Sequence, residues 1–209
     1  MHYHSKKKKI RGWKRHKRKI ERWKRHAMAF PFEELHAHKR TYVKLTIHPF
    51  YFSFEGKLPA WFVREVFDAV LNVYHSWHEQ LQSLHEPYDL MVWLFEPDFM
   101  KSQVVVSYRD CLHFYDQTFQ QREQQRAFPT DKFVNDPMKV NDMNWQVCIH
   151  TTDWTKEIFD GWLEDDLITR QELDRYKRNV YETMVLPNGD LLYLIDSGNV
   201  WIGKHTQEG

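Results

Sequence analysis

Residues 59–84, PAWFVREVFDAVLNVYHSWHEQLQSL, decide the fold class. Val63, Val66, Phe67, Val70, Val73, Tyr74, Trp77, Leu81 and Leu84 recur at three- and four-residue intervals, which places them along one side of a long amphipathic helix. Pro59 suits a first helical turn, and Pro87 cannot continue the helix. The preceding stretch, TYVKLTIHPFYFSF at 41–54, has a different period. Val43, Leu45 and Ile47 alternate with Tyr42, Lys44 and Thr46. After Pro49, the residues Phe50, Phe52 and Phe54 resume a period of two, which is strand patterning. Glu55-Gly56-Lys57 turns the chain from one pattern to the other.

Working outward, Tyr88–Phe95, Gln103–Arg109, Cys111–Phe119 and Trp145–His150 read as further strands. Residues 120–143, Gln-rich and then polar with Pro129 and Pro137, read as a long loop. Asp153–Glu164 reads as a helix with Ile158, Phe159, Trp162 and Leu163 on one side. Thr169-Arg170-Gln171-Glu172 is a capping box for a second helix reaching about Asn179. The tail Tyr181–Trp201, with turns at Asn188-Gly189 and Ser197-Gly198, reads as a β-meander. Strands are grouped instead of alternating with helices. The expected fold is therefore a single α+β domain at 41–209, with an antiparallel or mixed sheet, one long helix, a helix pair and a meander.

The other end of the chain has a different composition. Lys7–His16, KKKIRGWKRH, is followed by Lys17–His26, KRKIERWKRH, a tandem repeat identical at seven of ten positions. Residues 1–26 hold 13 Lys/Arg and one acid, Glu21. Since the chain of 209 residues totals +1, this +12 segment leaves −11 on the remainder. At 100° per residue, Ile10, Trp13, Ile20, Trp23, Ala27 and Phe30 share one side of a helix. Arg11, Lys14, Arg15, Arg18, Lys19, Arg22 and Arg25 share the other. Lys17 and Lys24 interrupt the apolar side, Gly12 costs about 1 kcal/mol relative to Ala in a helix interior, and neighbouring like charges repel. Residues 1–30 are therefore expected to form a basic arm, disordered alone and helical on meeting a partner. Pro31 should end that helix near Phe30, and 31–40 should be a connector.

The arm's composition points to a polyanion. Lys7, Lys8, Arg11, Lys14, Arg15, Arg18, Lys19, Arg22 and Arg25 would neutralise phosphates and release counterions, and Trp13 and Trp23 would stack on unpaired bases. The spacing carries no sequence code, so the expected activity is non-enzymatic, sequence-nonspecific binding of RNA or DNA. Two alternatives compete with it. An amphipathic basic helix can lie on an anionic membrane. Alternatively the acidic body acts as an inhibitor or immunity-type protein-interaction module, and the arm docks on that body or on a protein partner. Asp153–Asp174 holds eight acids and two bases, and would receive Trp13, Ile20 and Trp23.

Other chemistry is thinly signalled. Cys111-Leu112-His113 and Cys148-Ile149-His150 would offer two thiolates and two imidazoles to zinc if their strands were neighbours, but the usual Cys-x-x-Cys knuckle is absent. His75 and His78 lie one turn apart on the long helix without the HExxH spacing, His36 and His38 flank one residue in the connector, and Glu164, Asp165 and Asp166 are adjacent acids at a helix end. All three groups read as solvated surface, so no metal, cofactor or catalytic residue is assigned. No phosphate-cradling glycine loop or nucleophile elbow occurs. The longest apolar run, Leu90–Phe95, is six residues, and no apolar stretch of signal-peptide length follows the basic segment. A cytoplasmic protein with two reduced cysteines is expected.

Overall fold

The computed structural model describes residues 10–32, 42–47, 59–84, 87–96, 99–108, 119–123, 126–155, 160–161, 163–164, 169–171, 173–174 and 180–206. In chain order its elements are α1 (Trp13–Met28), β1 (Tyr42–Thr46), α2 (Ala60–Leu84), β2 (Tyr88–Phe95), a 3-10 turn (Phe99–Lys101), β3 (Gln103–Tyr108), β4 (Phe119–Glu123), α3 (Thr130–Phe133), α4 (Met138–Asn141), β5 (Met143–Thr155), β6 (Val180–Val185) and β7 (Leu191–His205).

The long helix forms where the apolar period places it. The Phe62 amide donates to the Pro59 carbonyl at 2.9 Å, and the helix runs 25 residues. Its buried side carries Phe62, Val66, Phe67, Val70, Val73, Tyr74 and Trp77. The sheet it covers has seven strands in the order β1-β3-β2-β7-β5-β4, with β6 also on β7, and every pairing is antiparallel. Strand alternation sorts side chains between two faces. Leu90, Val92, Leu94, Val104, Val106, Val147 and Trp201 join the α2 core. Trp93, Phe95, Val105, Cys148, Val200 and Ile202 form a second buried cluster. Burial on both faces explains why Leu90–Phe95 is continuously apolar. The α+β class is thus observed, with a wholly antiparallel sheet.

Three local expectations change. Residues 120–143 are not a loop. Backbone at Phe119–Glu123 pairs with β5, and Phe133, Val134 and Val140 from α3, α4 and their junction are buried. β4 closes one end of the strand order, and a Gln-rich edge strand carries no apolar alternation to reveal it. Asp153–Thr155 is strand rather than helix start, because β5 continues against β7 through Thr155↔Leu192. Ser197-Gly198 is no turn: β7 runs through it, and the slip between Ile149↔Asn199 and Thr151↔Asp196 absorbs one extra residue as a bulge. The Asn188-Gly189 turn is present, with Gly189 at φ 87° and its amide donating to Leu186 O at 2.8 Å. Residues 160, 161, 163, 164, 170, 171, 173 and 174 are helical, and the remainder of the expected helix pair falls outside the described residues. So do the strand at 111–118 and the continuation at 48–54.

Gly203 on β7 leaves room for side chains of β5. It pairs with Trp145, and a Cβ there would meet the Trp145 ring at 2.7 and 2.8 Å and Met143 Cε at 2.8 Å. The Trp145 ring is held on its other side by Phe128, stacked at 4.1 Å, so it has little room to withdraw. Gly203→Ala is expected to lower stability by roughly 1–3 kcal/mol through overpacking, read as a fall in the urea midpoint at constant slope. An unchanged midpoint would show that the indole can move aside.

Candidate functional site

The basic repeat folds as α1, and the helix is seated on its own protein. Gly12 adopts φ 75°, a conformation that glycine tolerates and L residues avoid, and its carbonyl accepts from Arg15 N and His16 N. The glycine expected to weaken the helix instead precedes its first turn. Ile20, Trp23 and Ala27 retain 4%, 3% and 1% of their surface. The Trp23 indole N–H donates to Thr46 O at the end of β1 at 2.8 Å. The Trp77 indole N–H, from α2, donates to Ala27 O at 2.8 Å. Trp13 is half-buried, edge-on to Trp61 at 4.6 Å and to Phe62 at 5.7 Å. Phe30 and Phe32 pack on Trp77 at 5.4 and 5.2 Å.

Two expectations are corrected by this seating. The described partner that holds the helix is the protein's own body, and it lies elsewhere than in the Asp153–Asp174 segment expected to receive it. Among the described residues it is α2 and the end of β1, so α1 and Phe32 belong to the same core as the sheet. Trp23 presents no face to a base, because both its ring and its N–H are already committed. The base-stacking role does not suit it, and Trp13 has its ring engaged by Trp61 and Phe62.

Docking also fixes the rotation of α1 about its axis. With His16, Ile20, Trp23 and Ala27 inward, the opposite meridian carries Lys14, Arg15, Arg18, Arg22 and Arg25, all exposed. Arg11 and Lys17 are exposed too, and Lys19 and Lys24 are half-buried. Lys7 and Lys8 lie outside the described residues. At 1.5 Å per residue, Lys14 to Arg25 spans about 17 Å, with arginines at intervals of about 5–6 Å. Lys24 pairs with Glu21 at 3.3 Å. Among the described residues, no carboxylate forms an ion pair with Arg15, Arg18, Arg22 or Arg25. The arginine row is thus held from behind and, among the described residues, is not neutralised in front.

His16 sits at the inner edge of this helix, its ring 6.1 Å from Phe62. Burial, then the charges of Lys19 and Arg15, lower its pKa below 6.5, with the Arg11 carbonyl opposing them. A histidine whose folded pKa is depressed contributes full stability above its ordinary value, and that contribution fades as pH falls from 6.5 toward the folded pKa. Thermal midpoints measured from about pH 8 to about pH 5 should therefore decline, and His16→Gln should flatten part of that decline. A variant whose profile parallels the wild type would exclude His16 as a contributor.

A second cluster forms where α2 meets the end of β7, and sequence spacing missed it. His75 Nδ1 lies 3.1 Å from His205 Nε2, and His75 Nε2 donates to Lys139 O at 2.8 Å. The His78 ring stacks on that of His205 at 3.9 Å, and the Tyr74 hydroxyl accepts from His205 N at 2.7 Å. Burial chiefly, and then neighbouring imidazoles, lower the pKa of His78 and of His205. Glu79 opposes the shift at His78, and Asp142 opposes it at His205. Burial raises that of Tyr74. His75 and His78 showed in the sequence only as surface histidines on a helix. Their partner is 130 residues away from His75, so no local motif could reveal the group.

Cys148 is a buried thiol outside any disulfide, on the sheet face away from α2, and His150 lies opposite Phe119 in register. Cys111, His113, His36, His38, Asp165 and Asp166 fall outside the described residues, and Glu164 is exposed. Among the described residues, no group of three metal-ligating side chains converges, and no helix is long and apolar enough to cross a membrane. No family model, curated protein or solved structure matches the chain.

Proposed function

We propose that the protein binds nucleic acid without sequence preference through the outward side of α1, with Arg15, Arg18, Arg22 and Arg25 as the principal phosphate contacts. Lys14 extends the row, and Lys7, Lys8, Arg11 and Lys19 are the flanking cations. The observation that carries this reading is the single row of exposed arginines, opposite the buried side of the helix and without carboxylate partners among the described residues. Guanidinium forks suit phosphate oxygens, and a rigid row loses little side-chain support on binding. Duplex DNA alongside a helix segment of about 17 Å presents roughly ten phosphate charges. Capture is electrostatic. The base-stacking contribution first assigned to Trp13 and Trp23 is dropped, since both rings serve the core.

The docked geometry favours this over membrane attachment. An interfacial helix must sink its apolar side among acyl chains, and the apolar side of α1 is already buried under α2.

The test is a salt titration of the full chain on labelled duplex DNA. Five contacted phosphates give a log–log slope of about −4.5. Similar affinity for unrelated sequences is expected. A slope near zero, or undetectable binding at low salt, would reject the proposal.

A further inference from the structure

The histidine pair joining α2 to β7 raises a question of proton placement. A carbonyl only accepts, so the contact of His75 Nε2 with Lys139 O puts the His75 proton on Nε2 and leaves a lone pair on Nδ1. That lone pair faces His205 Nε2 at 3.1 Å. On His205 the proton has two possible positions: on Nε2 it makes an N–H···N bond to His75, and on Nδ1 it leaves Nε2 with a lone pair as well. In the second arrangement the two inner nitrogens face each other as lone pairs 3.1 Å apart. A cation seated between them would select the second arrangement.

We propose that His75 Nδ1 and His205 Nε2 form a two-imidazole seat for a divalent transition-metal ion of the Zn²⁺ or Cu²⁺ class. At metal–nitrogen distances of about 2.0–2.1 Å, nitrogens 3.1 Å apart subtend about 100° at the ion, close to the angle of a tetrahedral or square-based site. An outer N–H held by a carbonyl, as at His75, is the usual support for a ligating histidine. The rings are held in place before any ion arrives: His205 lies in stacking contact with His78 and Tyr74, and its own amide is bound by the Tyr74 hydroxyl. The nearby Lys139 ammonium is drawn toward Asp68, 3.7 Å away, which lessens its repulsion of a cation. Entry is through a cleft of about 240 Å³ bounded by Met138, Asp142 and the two histidines. Because no third ligating side chain converges among the described residues, positions facing this cleft are available to water, to an adjusted Asp142 carboxylate or to an exogenous ligand. The seat is independent of the arginine row.

Calorimetric titration of the full chain with Zn²⁺ alone tests the inference. One site is expected to dominate, with a rise in thermal midpoint on saturation. His75→Gln and His205→Gln should each weaken that site at least about tenfold, and His78→Gln, which removes a stacked ring but no ligand, should weaken it much less. Circular dichroism establishes whether each variant folds. If a variant does not, the electron paramagnetic resonance spectrum of the wild-type Cu²⁺ complex decides, through coupling to two imidazole nitrogens. Zn²⁺ affinity untouched in both folded variants, or a Cu²⁺ spectrum lacking that coupling, would overturn the proposal.

Discussion

Trp23→Ala is expected to cost about 3–5 kcal/mol, a large share of the stability of an ordinary domain. The substitution empties an indole-sized volume from a fully enclosed position and abolishes the N–H bond to Thr46 O. It acts at the junction of α1 with β1, while the second tie between α1 and the body, Trp77 N–H to Ala27 O, lies one turn further on. The urea midpoint should fall sharply. Trypsin, slow to cut within Lys14–Arg25 while that segment is a docked helix, should then cleave it readily. If the basic segment were instead a free arm, the wild type would already be cut there and Trp23→Ala would leave the midpoint unchanged.

Replacing Arg15, Arg18, Arg22 and Arg25 together by glutamine is expected to move binding and stability in opposite directions. Losing four phosphate contacts should reduce the salt slope by about 3.6 and weaken duplex binding at low salt at least about 100-fold. The fold should not suffer, since all four side chains are exposed. It should gain slightly. Neighbours in the row are three or four residues apart, and each such like-charge pair costs an isolated helix a few tenths of a kcal/mol. A row of cations that opposes its own helix, and that no carboxylate among the described residues relieves, is what a polyanion site requires and a purely architectural helix does not. Unchanged binding in the quadruple variant would move the site off α1. A marked loss of stability would mean the arginines hold the structure together.

Much of the architecture was legible because it rests on periodicity. α2 follows from Val63 to Leu84, β2 and β3 from their apolar runs, and the sidedness of α1 from Ile20, Trp23 and Ala27 against the arginines. What periodicity does not encode is how far a strand pairs. Thr151, Thr152 and Thr155 are β-branched and suit a strand. Only the 15-residue length of β7 beside them, however, carries β5 through Asp153, where an acid followed by a helical apolar pattern indicated a helix start. β4 is not legible because Gln120, Gln121, Arg122 and Glu123 carry no apolar alternation, and it is the backbone of β5 that specifies the strand.

The candidate sites divide in the same way. The cationic residues, their tandem repetition and their placement on one side of a helix are properties of the sequence alone, because charge and a 100° step need no tertiary contact. Which side of that helix meets solvent, and which tryptophans are spent on the core, depended on the surface that α2 and β1 offer: burying the Trp23 ring is favourable only where a packed cavity and the Thr46 carbonyl receive it. The meeting of His75 with His205 is a still purer product of the fold. No local rule links residues so distant in the chain, and it is the register of β7 in the sheet that delivers the second imidazole to the first.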